Sequence, residues 1–317
     1  MIHDPPASYW FSRGSPPDEL DAVVVGAGVV GLAAAYWATR QGARVVVLEG
    51  QRVAAGSTGR STGFLVTGSL HPFTRLAARV GEERALELWE LSRENRCLVT
   101  ALVDAGLDCE LVAEGSWRTC RSGDPLEAEW EASAARLVKE GYAVEWRSPS
   151  RVREASGSPH LGGALFAAGD GGLDPVSLCR GLAAAAGAEV RIGSRVRHLE
   201  AAGERVRLAW NGGHALARRV VVAVNAYAPP LVRALGEKVR AVRLQALATS
   251  PAARRLPGVW VVGPDRLCLR QLPDGSLLAA GVGRPAAPDT HGYLEHPTAS
   301  GQAELEGALG ELMPAFA

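Results

Sequence analysis

A glycine-rich segment between two apolar runs is the part of the sequence best suited to bind a ligand. Gly26, Gly28 and Gly31 follow the apolar run 22–25 and lead into a predicted helix over 32–41. In this spacing the first glycine permits a tight turn, the second lets the backbone approach a pyrophosphate, and the third allows the helix to pack closely on the strand. The N–H groups and the positive dipole end of the helix then face the phosphates.

An acidic residue completes this pattern. Glu49 follows a second apolar run, 45–48, and lies 23 residues after Gly26. A carboxylate at this position can accept both hydroxyl groups of an adenosine ribose, and it would repel a 2′-phosphate. The alternative is an ordinary glycine-rich turn between a strand and a helix, and it leaves Glu49 without a role. We therefore predict a site for the ADP part of a dinucleotide.

The loop that follows is rich in hydroxyl groups and glycines. Residues 56–63 read Gly-Ser-Thr-Gly-Arg-Ser-Thr-Gly. An NAD-dependent dehydrogenase of the simple βαβαβ type would enter another helix and strand at this point. The loop instead offers N–H and O–H donors and the guanidinium of Arg60, so it could wrap a second phosphate or the edge of an isoalloxazine ring. The alternative is a mobile surface loop.

Length, composition and charge limit the class of protein. A chain of 317 residues, 47% of them apolar, can bury a large core and suits two α/β domains. The 34 basic and 34 acidic residues balance, so nothing indicates binding to nucleic acid or to an anionic membrane. No apolar run approaches the length of an integral membrane segment, and a secretory signal is not evident. Five scattered cysteines are typical of a reduced, cytoplasmic protein.

Metal and thiol chemistry have little support in the sequence. The seven histidines are dispersed without the spacing of metal ligands, so no metal site is predicted. Cys268 could be a reactive thiol or a covalent attachment point for a flavin. Its neighbours Leu267 and Leu269 favour ordinary packing in a strand.

A second part of the nucleotide-binding domain is predicted later in the chain. Asp174 as N-cap and Pro175 as the first helical residue predict a helix start. A hairpin turn is predicted at 211–213. The continuous apolar run 220–224 predicts a buried parallel strand. It ends at Asn225, in a turn of the kind that meets a ligand at the carboxyl edge of a sheet.

The other stretches predict a separate, antiparallel sheet with its own helices. Helical periodicity over 81–105 and over 126–140 predicts two helices, each followed by a glycine. Strands are predicted over 107–119 and over 143–147. A further hairpin is predicted at 273–275.

Taken in order, these motifs resemble the glycine oxidase, D-amino-acid dehydrogenase, sarcosine oxidase and γ-glutamylputrescine oxidoreductase group of FAD flavoproteins. The resemblance covers nearly the whole chain. It is carried by segments 25–31 with Glu49, 56–64, 172–175, 222–227 and 270–275, together with 8–10, which is typical of the γ-glutamylputrescine branch.

The resemblance implies an α/β fold. A Rossmann-like FAD-binding domain of the glutathione-reductase type would be interleaved with an antiparallel-sheet substrate domain. The expected division is an extended N-terminal arm over 1–20, the FAD-binding domain over 21–80 and 165–232, the substrate domain over 81–164 and 233–290, and the start of a return to the FAD domain over 291–317, where the chain ends. Family members continue beyond this point. Their next segment supplies a helix that points at the flavin pyrimidine and an arginine that holds a substrate carboxylate.

The resemblance also implies FAD as the cofactor. The expected cofactor-binding residues are Gly26, Gly28, Val30, Gly31, Glu49, Gly50, Thr58, Gly59, Arg60, Gly63 and Asn225. Gly63 is expected where the backbone approaches the isoalloxazine ring. The putrescine-oxidising branch has Asn-Gly where this chain has Ser61-Thr62, so this chain is bulkier there.

The implied activity is oxidation of the C–N bond of an amine or amino acid, by hydride transfer to flavin N5 and hydrolysis of the resulting imine. The electron acceptor would be oxygen, a quinone or a partner flavoprotein. The candidate substrate-site residues are Arg270, Arg243 and His71. Solvated surface positions for the arginines and a structural role for the histidine are the alternatives. Two other hypotheses stay open: a truncated, non-catalytic flavin- or ADP-binding subunit, and an NAD-linked dehydrogenase.

Overall fold

The computed structural model describes residues 18–263, 267–281 and 291–316. Most of the predicted N-terminal arm, including segment 8–10, lies outside these residues. Packing groups the described chain into two compact units. The first unit contains the described residues up to Val53 together with Leu182–Lys238, and the second contains Ala54–Gly181 together with the described residues from Val239 onwards. The predicted domain boundaries stay a prediction.

The described residues form fifteen strands and seven α-helices. The strands are β1 (Asp18–Val25), β2 (Val45–Leu48), β3 (Phe64–Leu65), β4 (Ser116–Arg121), β5 (Val144–Arg147), β6 (Leu161–Ala167), β7 (Gly171–Gly172), β8 (Glu189–Arg191), β9 (Val196–Ala202), β10 (Arg205–Trp210), β11 (Gly213–Val222), β12 (Gln245–Ala248), β13 (Val259–Gly263), β14 (Leu267–Gln271) and β15 (Leu277–Gly281). The helices are α1 (Val29–Arg40), α2 (Phe73–Val80), α3 (Glu82–Asp104), α4 (Leu126–Lys139), α5 (Pro149–Ser156), α6 (Pro175–Ala186) and α7 (Ala299–Leu312).

The first unit is built on a mixed sheet with the strand order β8-β2-β1-β11-β10-β9. β1 pairs in parallel with both β2 and β11, and β2 pairs in parallel with β8. Val23, Val24 and Val47 are almost completely buried, as expected for parallel strands covered on both faces. The hairpin predicted at 211–213 joins β10 to β11. The strand predicted over 220–224 is the parallel end of β11, which begins earlier and ends at Val222. Its predicted burial is wrong, because Val221 is 38% exposed.

The second unit contains a seven-stranded sheet with the order β12-β15-β14-β13-β4-β6-β5. Its pairs are antiparallel except for β4 with β13. One buried cluster includes Trp117 and Trp260, whose rings stack with centroids 4.7 Å apart. A second cluster contains Trp89 and Trp130 from α3 and α4, so both tryptophans belong to the core. The hairpin predicted at 273–275 joins β14 to β15.

The strand predicted over 107–119 is wrong in its first part. β4 begins only at Ser116, and before it Val112 makes an isolated bridge to Gly172. Glu110 and Gly115 have φ angles of 52° and 88°, which an extended strand does not allow. The apolar alternation in this stretch therefore reflects contacts of a loop.

Three helices of the second unit, α2, α5 and α7, were not predicted. The short α5 has Pro149 at its start and only eight residues. In α7, the side chain of Thr298 caps the helix by accepting from the Gly301 N–H, and the apolar face packs into the cluster that contains Trp260. The cap and the spacing of Leu305 and Leu309 were available as signals in the sequence.

Candidate functional site

The glycine-rich turn between β1 and α1 has the geometry of a phosphate cradle. Gly26 has a φ of 107°, and a Cβ there would lie 2.7 Å from the carbonyl oxygen of Ala223. A Cβ on Gly31 would collide with the carbonyl oxygen of Gly26. Glycine is therefore required at both positions by the backbone itself, because the turn, the helix and the end of β11 approach too closely for any side chain.

The N-cap of α1 is a glycine. Gly28 is extended and has no side chain of its own to cap the helix. The first turn contains no acidic residue, and Val30 in that turn is 66% exposed. The positive end of the helix dipole therefore faces a space that no side-chain anion from this turn fills.

Glu49 lies beside this turn, directly after β2. Its Oε2 accepts a hydrogen bond from the Ala27 N–H at 2.8 Å, and its Oε1 accepts from the Gln51 N–H at 2.7 Å. A carboxylate has lone pairs for about four hydrogen bonds, so each oxygen can still accept from a ligand hydroxyl group. The two backbone bonds fix the orientation of the side chain at the glycine turn.

Two other predicted residues lie at the same carboxyl edge of the first unit's sheet. Asn225 follows β11 with a φ of 47°, a left-handed conformation that asparagine tolerates better than most residues. Gly50 follows Glu49, and a Cβ there would be 3.4 Å from the side chain of Arg195. The structure thus brings Gly26, Glu49, Gly50 and Asn225 to one edge, where ligands of such sheets bind.

In the second unit, two glycines of loop 56–63 are required by close contacts with backbone outside the loop. A Cβ on Gly59 would collide with the carbonyl oxygen of Ala54, and one on Gly63, whose φ is 72°, would collide with that of Leu173. These contacts explain both glycines without a ligand. Arg60 is 49% exposed and forms an ion pair of 2.8 Å with Glu295.

Asp174 begins α6 as predicted. Its Oδ1 accepts from the Val176 N–H at 2.8 Å, and its Oδ2 accepts from the Ser177 hydroxyl at 2.6 Å. Burial alone would raise the pKa of this carboxyl, but the hydrogen bonds from Ser177 and Val176 outweigh it and lower the pKa overall. The charged carboxylate thus stabilises the helix start.

Arg270, on β14, is a buried cation. Only 5% of the residue is exposed, so the alternative of a solvated surface arginine is wrong. Its Nη1 donates to the carbonyl oxygen of Leu173 at 2.5 Å and, more weakly, to that of Thr62 at 3.5 Å. Burial lowers the pKa of this guanidinium, although Glu110 and Asp174 act against the shift.

Comparison with known proteins identifies the family. Residues 21–317 match the family described as FAD dependent oxidoreductase, or DAO. The chain belongs to this family. The match confirms the predicted resemblance and gives FAD as the family's cofactor, which decides between FAD and NAD in favour of FAD.

One curated relative is a Haemophilus influenzae protein named "Probable oxidoreductase OrdL". It is 28% identical over 268 residues, which cover 78% of this chain and 61% of the relative. The chain therefore spans less than two thirds of the length of that relative.

Two solved structures share the fold. Glycine oxidase from Bacillus cereus has a TM-score of 0.73 and 18% identity, over 93% of this chain and 78% of that chain. L-proline dehydrogenase from P. horikoshii has a TM-score of 0.73 and 20% identity, over 94% of this chain and 78% of that chain. These likenesses and the mixed parallel and antiparallel sheets confirm the predicted α/β fold with a Rossmann-like FAD-binding domain.

The glycine turn fits the cofactor of the DAO family. A pyrophosphate needs backbone N–H groups that can be closely approached, and α1 begins at Gly28, which carries no side chain. A ribose needs an acceptor that is fixed in place, and two backbone bonds fix Glu49. The residues of the first unit are therefore compatible with the ADP part of FAD.

The other two candidate substrate-site residues form hydrogen bonds within their own unit. The Nε of Arg243 donates to the carbonyl oxygen of Leu294 at 2.9 Å. His71 is exposed in the turn before α2, and its N–H donates to the Ser69 hydroxyl at 3.1 Å. The structure does not bring either residue into contact with Arg270 within the described chain.

Thiol chemistry has no support in the buried cysteines. Burial raises the pKa of Cys120 to about 12 and the pKa of Cys179 to about 11. Both thiols therefore stay protonated at neutral pH. Cys268 is half-buried on β14, and its neighbours Leu267 and Leu269 are completely buried, so the predicted strand is confirmed.

A buried polar network in the second unit was not predicted from the sequence. Asp170 accepts from the Thr67 N–H at 2.9 Å and from the Ser116 hydroxyl at 2.7 Å, and it forms an ion pair of 3.3 Å with Arg118. Burial lowers the pKa of the Arg118 guanidinium, and the charge of Asp170 opposes this shift. The network fixes the segment that follows β3. The sequence signal was an acid directly before the glycine pair of β7.

Of the helices in the described part of the chain, none combines the length and the hydropathy needed to cross a membrane.

Proposed function

We propose that this chain oxidises the C–N bond of a small amine or amino acid with FAD as its cofactor. The observation that carries the proposal is the glycine turn at the start of α1 with its fixed carboxylate, in a chain of the DAO family. Two structural neighbours, glycine oxidase and L-proline dehydrogenase, are named for reactions of amino acids. Their names support the substrate class proposed here.

The proposed roles at the turn follow from its contacts. The N–H groups near Gly28, Val30 and Gly31 bind the pyrophosphate, because the helix dipole favours an anion there and the first turn holds no acidic residue. Glu49 accepts the ribose hydroxyl groups, since its two oxygens are already oriented by backbone N–H groups. Gly50 leaves space at the same edge for the adenosine part.

The hydroxyl-rich loop is the proposed support for the flavin part. Thr58, Gly59, Arg60 and Gly63 offer hydroxyl, N–H and guanidinium donors, which suit the acceptors of a phosphate and of a pyrimidine ring. Arg60 would exchange its exposed ion pair with Glu295 for such an acceptor at little cost, because exposed pairs contribute roughly 0–1 kcal/mol.

FAD, when bound, supplies the two-electron oxidation that no side chain can perform. The protein's part is to bind the amine, orient its C–H bond and exclude water. Arg270, Arg243 and His71 remain the candidates for holding the substrate. The electron acceptor, whether oxygen, a quinone or a partner flavoprotein, is part of the same proposal.

A dye-linked assay tests the proposed reaction. FAD-loaded protein is mixed with a panel of α-amino acids of both configurations, N-methyl amino acids and diamines, and reduction of an artificial electron acceptor is recorded together with carbonyl and ammonia formation. The proposal expects one carbonyl product for each pair of electrons transferred. 2-Hydroxy acids of the same chain lengths serve as controls and should not react.

Two results would contradict the proposal. Oxidation of the hydroxy acids alone would move the reaction to the C–O bond. Flavin-loaded protein that oxidises no member of the panel would favour the alternative of a non-catalytic flavin-binding subunit.

A further inference from the structure

Arg270 reaches loop 56–63 only because two glycines leave room for it. The guanidinium Nη1 lies 2.9 Å from the position of a Cβ on Gly63, and Nε lies 2.6 Å from that of a Cβ on Gly172. A side chain at either position would displace the guanidinium. The contacts of Nη1 with the carbonyl oxygens of Thr62 and Leu173 then hold it against the end of the loop.

The charge of Arg270 has no ion-pair partner among the described residues. No carboxylate oxygen of these residues lies within the 4.0 Å that defines an ion pair. The carboxylate of Asp174 instead accepts hydrogen bonds from the Val176 N–H and the Ser177 hydroxyl at the start of α6. Glu110 is exposed and acts on the guanidinium only at longer range.

Arg118 of the same unit provides the contrast. It is completely buried, and it has Asp170 at 3.3 Å as its counter-charge. Buried cations in proteins are normally paired, because an uncompensated charge in a region of low dielectric is costly. Among the described residues, one buried arginine is thus paired with a carboxylate and the other, Arg270, is not.

We propose that Arg270 stabilises the negative charge that develops on the flavin ring when the cofactor accepts electrons. The inference rests on the proposed function, in which loop 56–63 supports the flavin. Uptake of two electrons with one proton leaves one negative charge on the ring system, and a fixed cation beside it favours that state. The buried position strengthens the interaction, since screening by water is weak there.

The test compares the midpoint potential of substrate-free, FAD-loaded protein with that of Arg270→Gln and Arg270→Lys, measured against reference dyes. Glutamine keeps a donor for the Leu173 carbonyl but removes the charge, and lysine keeps the charge. Arg270→Gln should favour the oxidised form by about tenfold or more in the equilibrium constant, equal to about 30 mV for a two-electron couple. Arg270→Lys should stay close to the parent protein. Arg79→Gln, a change at an exposed arginine of α2, is the control and should also match the parent.

A second measurement needs no variant. Titration of the fully reduced parent protein, followed by absorbance, gives the pKa at which the reduced flavin loses its ionisable proton. A fixed cation lowers this pKa relative to free flavin. A value at or above that of free flavin would overturn the inference, even if Arg270→Gln failed to fold.

Other outcomes separate this inference from the proposed function. Equal potentials for the parent, Gln and Lys proteins would overturn the inference, and a raised KM for amino acids with an unchanged potential would assign the guanidinium to a substrate carboxylate instead. A protein that oxidises no amine but shows the difference between Gln and Lys would contradict only the proposed substrate class. A protein that binds no FAD would overturn both.

Discussion

Gly31 and Gly307 are both helical glycines, but a methyl group would meet very different surroundings at the two positions. At Gly31 it would collide with the Gly26 carbonyl oxygen, whereas at Gly307 nothing lies within 4 Å. We expect Gly31→Ala to open the phosphate cradle and abolish retention of FAD. Gly307→Ala should retain FAD and be more stable by roughly 0.5–1 kcal/mol, because alanine favours a helix. Absorbance at the flavin bands after gel filtration measures retention, and a Gly31→Ala protein that keeps its flavin would contradict the cradle.

Glu49 carries the second prediction at this scale. Glu49→Gln keeps the size of the side chain but replaces one acceptor with a donor, which faces the Ala27 or Gln51 N–H. Hydrogen bonds to charged groups contribute about 1.5–3 kcal/mol, so the Kd for FAD should rise by about tenfold to a hundredfold. Fluorescence titration of apoprotein with FAD measures the change. Glu87→Gln, at an exposed position of α3, should leave the Kd unchanged.

Single residues also mark the limit of what the sequence could tell. The glycine turn and the role of Glu49 could be predicted from the sequence, because both depend only on residues close to them in the chain. The burial of Arg270 could not be predicted from the sequence, since a guanidinium next to a hairpin turn usually lies in solvent. Only the tertiary approach of Gly63 and Gly172 makes the space for it. Likewise, the packing reason for Gly59 depends on Ala54, whose left-handed φ of 59° nothing in the sequence indicates.

At the scale of elements, Asp174→Ala tests the start of α6. Loss of an N-cap typically costs about 0.5–2 kcal/mol of stability. Because the folded-state pKa of Asp174 lies below its ordinary value, the charged carboxylate stabilises the fold at neutral pH. This contribution falls away as the pH drops through the folded-state pKa.

Urea unfolding of the parent and Asp174→Ala proteins over a range of pH measures this contribution. The stability difference should be full at pH values above the ordinary carboxyl pKa and should shrink in more acidic solution. Asp174→Asn, which keeps a capping oxygen, should lose less stability at neutral pH. A stability difference that grows in acid would contradict the role of the charged form.

The buried network joins three separate elements, and Asp170→Asn tests it. The change leaves the Arg118 cation buried without a counter-charge, and breaking such a pair by removing one partner costs about 3–5 kcal/mol. We expect a large fall in the midpoint of thermal unfolding, measured by circular dichroism. Asp104→Asn, at an exposed position near the end of α3, should change the midpoint little. An equally small change for Asp170→Asn would show that the network is dispensable.

Helices and hairpins were predicted well where the sequence marks their ends clearly. The helices expected over 81–105 and 126–140 differ from α3 and α4 by one residue at most, because Gly106 and Gly141 terminate them clearly. The hairpin turns were located for the same reason. The helix α5 is too short for periodicity to reveal it, and the strand expected over 107–119 failed because backbone φ angles do not show in an apolar pattern.

At the scale of the whole molecule, ligand binding should appear as thermal stabilisation. A ligand that binds only the folded state contributes RT ln(1 + [L]/Kd), or about 2.7 kcal/mol at a hundredfold excess over Kd. FAD added to apoprotein should therefore raise the unfolding midpoint by several degrees, followed by tryptophan fluorescence. NAD at the same concentration is the control and should have no effect, since the family match points to FAD. Stabilisation by NAD alone would contradict the cofactor assignment.

The interleaving of the two units could be predicted from the order of the motifs, because strands β1 and β2 come early in the chain and β11 comes from its middle. The fold of the DAO family followed from five segments in register. The position of α7 could not be predicted from the sequence, since its apolar face could have packed on any sheet.

Anaerobic absorbance spectroscopy shows whether an amine or amino acid reduces the bound flavin. The FAD-loaded protein is mixed with amines and amino acids in the absence of oxygen, and the blue and near-ultraviolet flavin bands are recorded. We predict that at least one amine or amino acid bleaches these bands and that oxygen or an electron-accepting dye restores them. Flavin bands that persist with every amine and amino acid would contradict this prediction.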